Sequence, residues 1–346
     1  MSKPLSMNKW WLPISILISI LMIALVIYMT VDRETIHYLF KINPFFILIA
    51  ISLHIASWFV WALRILILSK LAKPDCNMKF IDSINAVITN LFLAAVTPSM
   101  AGGEPVRIQM LSKKGLGVGR ATAVVIGERV FDALLVISLL PFGIAVIISQ
   151  TGIASSRAVM LGLAIGLTLF CLGIAIFAYS LLKPEKIKNI IIRLNERFSS
   201  ILKRRIDTEK FIRMIEGFIR EFQIGSKFIF SMKNSRGVIA VFALTAVYWF
   251  LEFLVASFVL LSLHQDPIWI KSIAAQILLL VVIMIPLTPG SSGLAEGVGG
   301  LIYGNMVNLS ILGIFIALWR FLTYHINIIV GGLYQYKLVK SFLPEY

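Results

Sequence analysis

The sequence predicts an all-α polytopic membrane protein, with about six full spans plus two re-entrant broken-helix hairpins arranged as an inverted repeat. Three observations predict it. Of 346 residues, 59% are hydrophobic and only 14% charged, the mean hydropathy is +0.91, and apolar runs of about 20 residues, long enough to cross a bilayer as helix, recur from end to end. Lys and Arg gather on alternate sides of those runs, as the positive-inside rule requires. Two stretches that combine Thr-Pro with glycines and a glutamate, TPSMAGGEPVR at 97–107 and TPGSSGLAEG at 288–297, interrupt the helical pattern at matching places.

The spans are read at 12–31, 44–69, 121–149, 157–182, 237–263 and 309–336, within a single integral membrane domain over 1–346. The first follows Lys3 and Lys9 and opens on Trp10-Trp11. With interfacial aromatics and no small-residue cleavage site, it is a retained helix and not a signal peptide. If the N-terminus is inside, loops 70–79, 98–120 and 183–236 and the tail bearing Lys337 and Lys340 are cytoplasmic, and these carry the basic residues. Loops 32–43, 150–156 and 264–270 are then external and poor in Lys and Arg. The chain is accordingly expected in a plasma or inner membrane, multi-pass, with both termini cytoplasmic.

A net charge of +15 raises the question of nucleic acid, and its distribution answers it. Lys183 to Arg236 holds fourteen Lys/Arg against six Asp/Glu, a net +8. Ile187, Ile191, Leu194, Phe198 and Ile201, then Ile212, Ile215, Phe218 and Phe222, recur there at helical spacing. The segment reads as a cytoplasmic basic amphipathic connector on an anionic leaflet, or equally as a solvated connector whose charges hold topology. No zinc-finger spacing or RNA-binding signature supports nucleic acid. Cys76 and Cys171 form no metal-ligand cluster, and no P-loop, HExxH or two-metal carboxylate pattern is present. Gly115, Gly117 and Gly119 lack a strand-helix context, so no cofactor or metal is expected.

The six spans leave 80–110 and 271–305 to leave and re-enter the same face, the first opening to the cytoplasm and the second to the outside. Aligning Thr97 with Thr288 puts Asn85 and Gln276 each 12 residues before the threonine, and Arg129 and Arg320 each 32 after it. Glu104 and Glu296 are offset by one residue. Such register predicts a repeat, 44–149 and 237–336, inverted because the copies face opposite sides. Broken backbone at membrane depth costs several kcal/mol per unpaired group unless protein, water or ligand satisfies it. Proline stops the preceding helix, glycine permits the turn, and the next short helix aims its N-terminus into a polar cavity. Paired breaks in inverted repeats point to a transporter's central site.

Thr97, Pro98, Gly102, Gly103, Glu104 and Arg107 in the first copy, and Thr288, Pro289, Gly290, Gly293 and Glu296 in the second, are therefore the candidate substrate-binding residues. Glu128, Arg129 and Asp132, in GERVFD, and Arg320 join them as charges inside spans, costly in hydrocarbon and expected to face the bundle interior, as is Glu252. An interior salt-bridge network that only fixes packing is the competing role for Arg129 and Asp132. Arg64 is expected to snorkel to the cytoplasmic interface, and His325 to be a packing residue.

TPSMAGGEPVR followed by GERVFD, and TPGSSGLAEG followed by WRFLTY, resemble the transmembrane region of lysylphosphatidylglycerol synthases and their stand-alone, flippase-like relatives. The resemblance covers essentially the whole chain. It implies movement of a lipid headgroup between leaflets, with the motif glutamates and arginines near the polar path. The chain also resembles the membrane part attached to some dolichyl-phosphate-linked glycosyltransferases. No soluble aminoacyltransferase domain is expected from these 346 residues, and Ser291-Ser292 stands where the pattern is more glycine-rich. The implied partner is thus an anionic phospholipid or a polyprenyl-phosphate-type lipid rather than lysylphosphatidylglycerol itself. Arg107, Arg129 and Arg320 would attract the phosphate, and Glu104, Glu296, Glu128 and Asp132 would orient them or carry a coupling proton. Two enzyme readings stand beside this transporter. Asp32 and Glu34 suit a membrane glycosyltransferase using a lipid-phosphate donor, and Ser292 with His325 suits an intramembrane serine protease.

Overall fold

The structure, a computed structural model, describes residues 38–97, 103–151, 208–283 and 291–340, with single helical positions at 17, 21 and 28 and between 161 and 179. The predicted spans 12–31 and 157–182 otherwise lie outside the described residues, as do 183–207 of the connector. The described residues are almost all helical and include no strand. In chain order the helices are α1 (Pro44–Ala72), α2 (Phe80–Val96), α3 (Gly103–Leu111), α4 (Val118–Thr151), α5 (Thr208–Ile229), α6 (Ser235–Ser262), α7 (Trp269–Ile283), α8 (Leu294–Tyr303), α9 (Leu309–Arg320) and α10 (Ile326–Lys340).

Four stretches are long and apolar enough to cross a bilayer: Pro44–Ala72, Val118–Ser149, Ser235–Ser262 and Leu309–Gln335. They match the four predicted spans in the described region to within a few residues. This is a multi-pass, all-α membrane protein. The helices α2 and α7, of 17 and 15 residues, are about 26 and 22 Å long, short of the roughly 30 Å hydrocarbon core. Each is followed by a still shorter helix, α3 or α8, that packs back on it.

The order long, short, short, long occurs twice in register. Pro44 and Ser235, Gly103 and Leu294, and Val118 and Leu309, each the first residue of a helix, are 191 residues apart. Thr97 and Thr288 are separated by the same interval. Contacts repeat too. The α1 and α6 helices pack together, α2 packs on α10, and α7 packs on α4. Exchanging the two sets maps these contacts onto one another, the reciprocity that a two-fold relation produces.

The central pair, α1 and α6, runs antiparallel. Asn43, capping the start of α1, donates its N–H to Ser262 at the end of α6 at 2.8 Å. His54 meets Glu252 midway, and Arg64 donates to Thr245 further along. At the far end Gly237 lies so close to Leu71 that a Cβ there would sit 2.7 Å from a leucine methyl.

The described part of the connector, α5, packs on α4 and α1. Gly119 lets the backbones nearly touch, since a Cβ there would fall 2.4 Å from the Phe218 carbonyl oxygen. Gly119 also donates its N–H to Glu221 at 3.2 Å. Phe222 and Ile229 are buried in the same core as Ala121, Ala123 and Val124, while Arg220 and Lys227 remain exposed. Amphipathic periodicity is blind to what covers the apolar face, and here it is protein.

Candidate functional site

Each short helix begins where a glycine is needed. A Cβ on Gly103 would fall 2.7 Å from Oδ1 of Asn90, so only glycine lets the start of α3 approach α2 so closely. Gly293 has φ of 87°, in the left-handed region, and its N–H donates to Glu296 Oε2 at 2.7 Å. Thr97 closes α2 by donating its hydroxyl to the Leu93 carbonyl at 2.6 Å. Pro98, Gly102, Thr288, Pro289 and Gly290 lie outside the described residues.

One bond recurs in both halves. Arg129 Nε donates to Glu104 Oε1 at 2.9 Å, and Arg320 Nε donates to Glu296 Oε1 at 2.8 Å. The short-helix glutamate is thereby tied to the arginine of the following long helix in each copy. The surroundings differ. Arg129 leaves 41% of its side chain exposed, and its Nη2 has no hydrogen-bond partner among the described residues. Arg320 is only 7% exposed and sits 4.4 Å from the centre of the Tyr324 ring.

Around Arg129 the first half builds a chain of alternating charge. From Arg129 the chain passes to Asp132 at 3.3 Å, from Asp132 to Arg64 at 2.6 Å, from Arg64 to Glu128 at 2.9 Å and from Glu128 to Arg107 at 2.9 Å. Indole N–H groups complete it, Trp61 to Glu128 at 2.7 Å and Trp249 to Asp132 at 3.0 Å. Arg64 is therefore not a snorkelling residue. Its side chain is 1% exposed and holds two carboxylates, because a guanidinium within the bundle finds fixed acceptors closer than the interface. Arg107 is equally buried, and its Nε and Nη2 find no partner among the described residues.

Arg64, Arg129, Asp132, Glu252 and Arg320 line a cavity of about 270 Å³ between the two halves, joined by Asn90, Gln276 and Asn327 and walled by Trp61, Tyr248, Trp249 and Tyr324. Glu104, Arg107, Glu128 and Glu296 stand behind those residues and hold them. Asn85, in register with Gln276, does not line the cavity; Asn90 on the same helix does. The residues that sequence reasoning missed, Asn90, Asn327 and His54, share the signal that would have found them, a polar side chain inside an apolar run. Ser292 and His325 do not form a dyad. The Ser292 hydroxyl has no hydrogen-bond partner among the described residues, and His325 Nδ1 faces the Arg320 carbonyl at 3.3 Å. Asp32 and Glu34 lie outside the described residues.

Residues 13–331 match the family described as the lysylphosphatidylglycerol synthase TM region. A UPF0104 membrane protein of Archaeoglobus fulgidus is 31% identical over 335 residues, 95% of this chain and 97% of that protein. UPF0104 membrane proteins of Pyrococcus horikoshii and Methanocaldococcus jannaschii are 24% and 28% identical, covering 93% and 82% of this chain and 96% and 82% of their own. No solved structure matches the chain.

Proposed function

The chain belongs to the lysylphosphatidylglycerol synthase TM-region family, and from that premise we propose that it is a lipid translocase. It passes the headgroup of an anionic phospholipid or polyprenyl-phosphate-type lipid between leaflets of a plasma membrane, by transport rather than catalysis. The observation that carries this reading is the cavity lined by residues of both halves, with the half-exposed Arg129 guanidinium in its wall and an Nη2 that has no hydrogen-bond partner among the described residues. A guanidinium is always charged and binds phosphate through two parallel hydrogen bonds. At about 270 Å³ the cavity sits near the lower end of small-ligand sites, roughly 300 Å³. That admits a headgroup while the acyl or prenyl chains stay in lipid.

The antiparallel α1–α6 pair and the reciprocal contacts of α2 and α7 support an inverted repeat with its two-fold axis in the membrane plane. Rocking one half against the other around the shared cavity then gives alternating access. In liposomes of purified protein, labelled anionic lipids are expected to exchange leaflets faster than zwitterionic ones of the same chain length. Equal rates for both would remove the phosphate-binding reading.

Orientation has its own check. The inverted repeat places Lys113, before α4, on the cytoplasmic side and Asp266, between α6 and α7, on the external side; both are exposed. Single cysteines at these positions, in a background lacking Cys76 and Cys171, are expected to react with an impermeant thiol reagent from opposite faces. Reaction from one face only would sink the inversion.

A further inference from the structure

We propose that His54 and Glu252 form a proton-binding site in the cavity wall, so that one proton is taken up with each anionic headgroup bound. The second half of that statement rests on the translocase reading above. The first half stands on the hydrogen-bond pattern alone.

Asn327 Nδ2 donates to the Thr323 carbonyl at 2.7 Å, which fixes the amide orientation and turns Oδ1 toward His54. His54 Nε2, 3.0 Å from that oxygen, must therefore carry a proton and donate. The other ring nitrogen, Nδ1, lies 2.9 and 3.1 Å from the two oxygens of Glu252. A neutral ring with hydrogen on Nε2 would present its Nδ1 lone pair to a carboxylate, lone pair against lone pair. The contact is a hydrogen bond only if one further proton is there, held by Nδ1 as imidazolium or by Glu252 as carboxylic acid. Ser57 donates to the same carboxyl group but brings no charge. The pair thus binds a proton as a unit.

The remaining charges explain why this proton matters to an anion. Arg64 on α1, Arg129 and Asp132 on α4 and Arg320 on α9 pair with one another or with Glu104, Glu128 and Glu296. Among the described residues no arginine or lysine reaches Glu252; His54 is its one cationic partner, and the nearby titratable group on its own helix, Tyr248, is neutral when protonated. With the proton the pair has net charge zero, and without it the charge is −1. Glu252 is 14% exposed and lines the cavity, so that negative charge faces the space an anionic headgroup would occupy. Losing the proton repels the headgroup, and by reciprocity binding the headgroup draws the proton in.

Glu252→Gln keeps the hydrogen bond, since the amide donates to the Nδ1 lone pair, and removes the titration. In detergent, infrared difference spectra of the wild type across about pH 5 to 9 are expected to show a carboxyl or imidazole proton change that Glu252→Gln lacks. Identical spectra for the two would overturn the site whether or not any lipid binds. Phosphatidylglycerol added to weakly buffered wild type is expected to take up protons, with affinity falling by up to about tenfold per pH unit on the alkaline side. Phosphatidylcholine should not. Glu252→Gln is expected to bind phosphatidylglycerol with no proton uptake and a flat pH profile. Binding by wild type with no proton uptake, or a Glu252→Gln profile as steep as wild type, would overturn the coupling and leave the translocase reading intact. If phosphatidylglycerol fails to bind at any pH, the headgroup reading fails and the coupling with it, and the spectra still decide the proton site.

Discussion

Glu128→Leu is expected to destabilise the protein by about 3–5 kcal/mol, the cost of leaving buried charge without its partner. Glu128 is fully buried, and a single oxygen, Oε1, accepts from Trp61 and Arg107 and lies 2.9 Å from Arg64 Nη2. Its removal strands Arg107, whose other nitrogens already lack partners, whereas Arg64 keeps Asp132. The damage is therefore expected to come mostly from Arg107. Combining Glu128→Leu with Arg107→Met removes one charge of each sign and should recover most of the thermal stability in detergent. A single variant as stable as wild type, or a double variant no better than the single, would show that the charge chain does not hold α3 to α4.

Arg129→Lys is expected to slow lipid exchange about 10- to 100-fold, the loss of a charge-assisted hydrogen bond worth about 1.5–3 kcal/mol, with little change in thermal stability. An ammonium keeps the charge and loses the fork. At 41% and 43% exposure the Arg129–Glu104 pair lies in the range of surface pairs, about 1 kcal/mol or less, and the buried Asp132 keeps its bond to Arg64. Arg320→Lys is expected to lower both exchange and stability, because Arg320 is buried on Tyr324 against a fully buried Glu296. Lipid exchange measured beside thermal unfolding separates the two arginines. Near-normal exchange in a folded Arg129→Leu, Arg320→Leu double variant would remove both from the mechanism.

That difference shows where reading the sequence runs out. Arg129 and Arg320 occupy equivalent positions 32 residues after Thr97 and Thr288, and in the structure each bonds a short-helix glutamate. Their exposure differs. It depends on residues 191 apart that differ between the copies: Glu128 and Asp132 in the first half correspond to Trp319 and Thr323 in the second, and Arg107 to Val298. Among the described residues the first half carries a charge chain with no counterpart at those positions of the second, so its arginine is shared among carboxylates and half-open. The second arginine is stacked on an aromatic ring.

Membrane class, the four described spans and the two breaks were legible in the linear chain, as was a set of motif glutamates beside arginines; which glutamate meets which arginine was not. Hydropathy over about 20 residues, helix-breaking Pro and Gly, and a fixed interval between copies are local properties that each copy carries within itself. Three things were decided by the packing of distant helices. Arg64 became a buried partner of Asp132 and not an interfacial residue, α5 docked on α4 through Gly119, and His54 met Glu252 across 198 positions of chain. The physical reason is common to all three. A polar group in an apolar helix must find a partner or pay desolvation, but which partner depends on which helix faces it and in which direction that helix runs. The loop charges already imply opposite directions for α1 and α6; that the two helices pack on each other, and which side chains meet along them, is decided only in the folded chain.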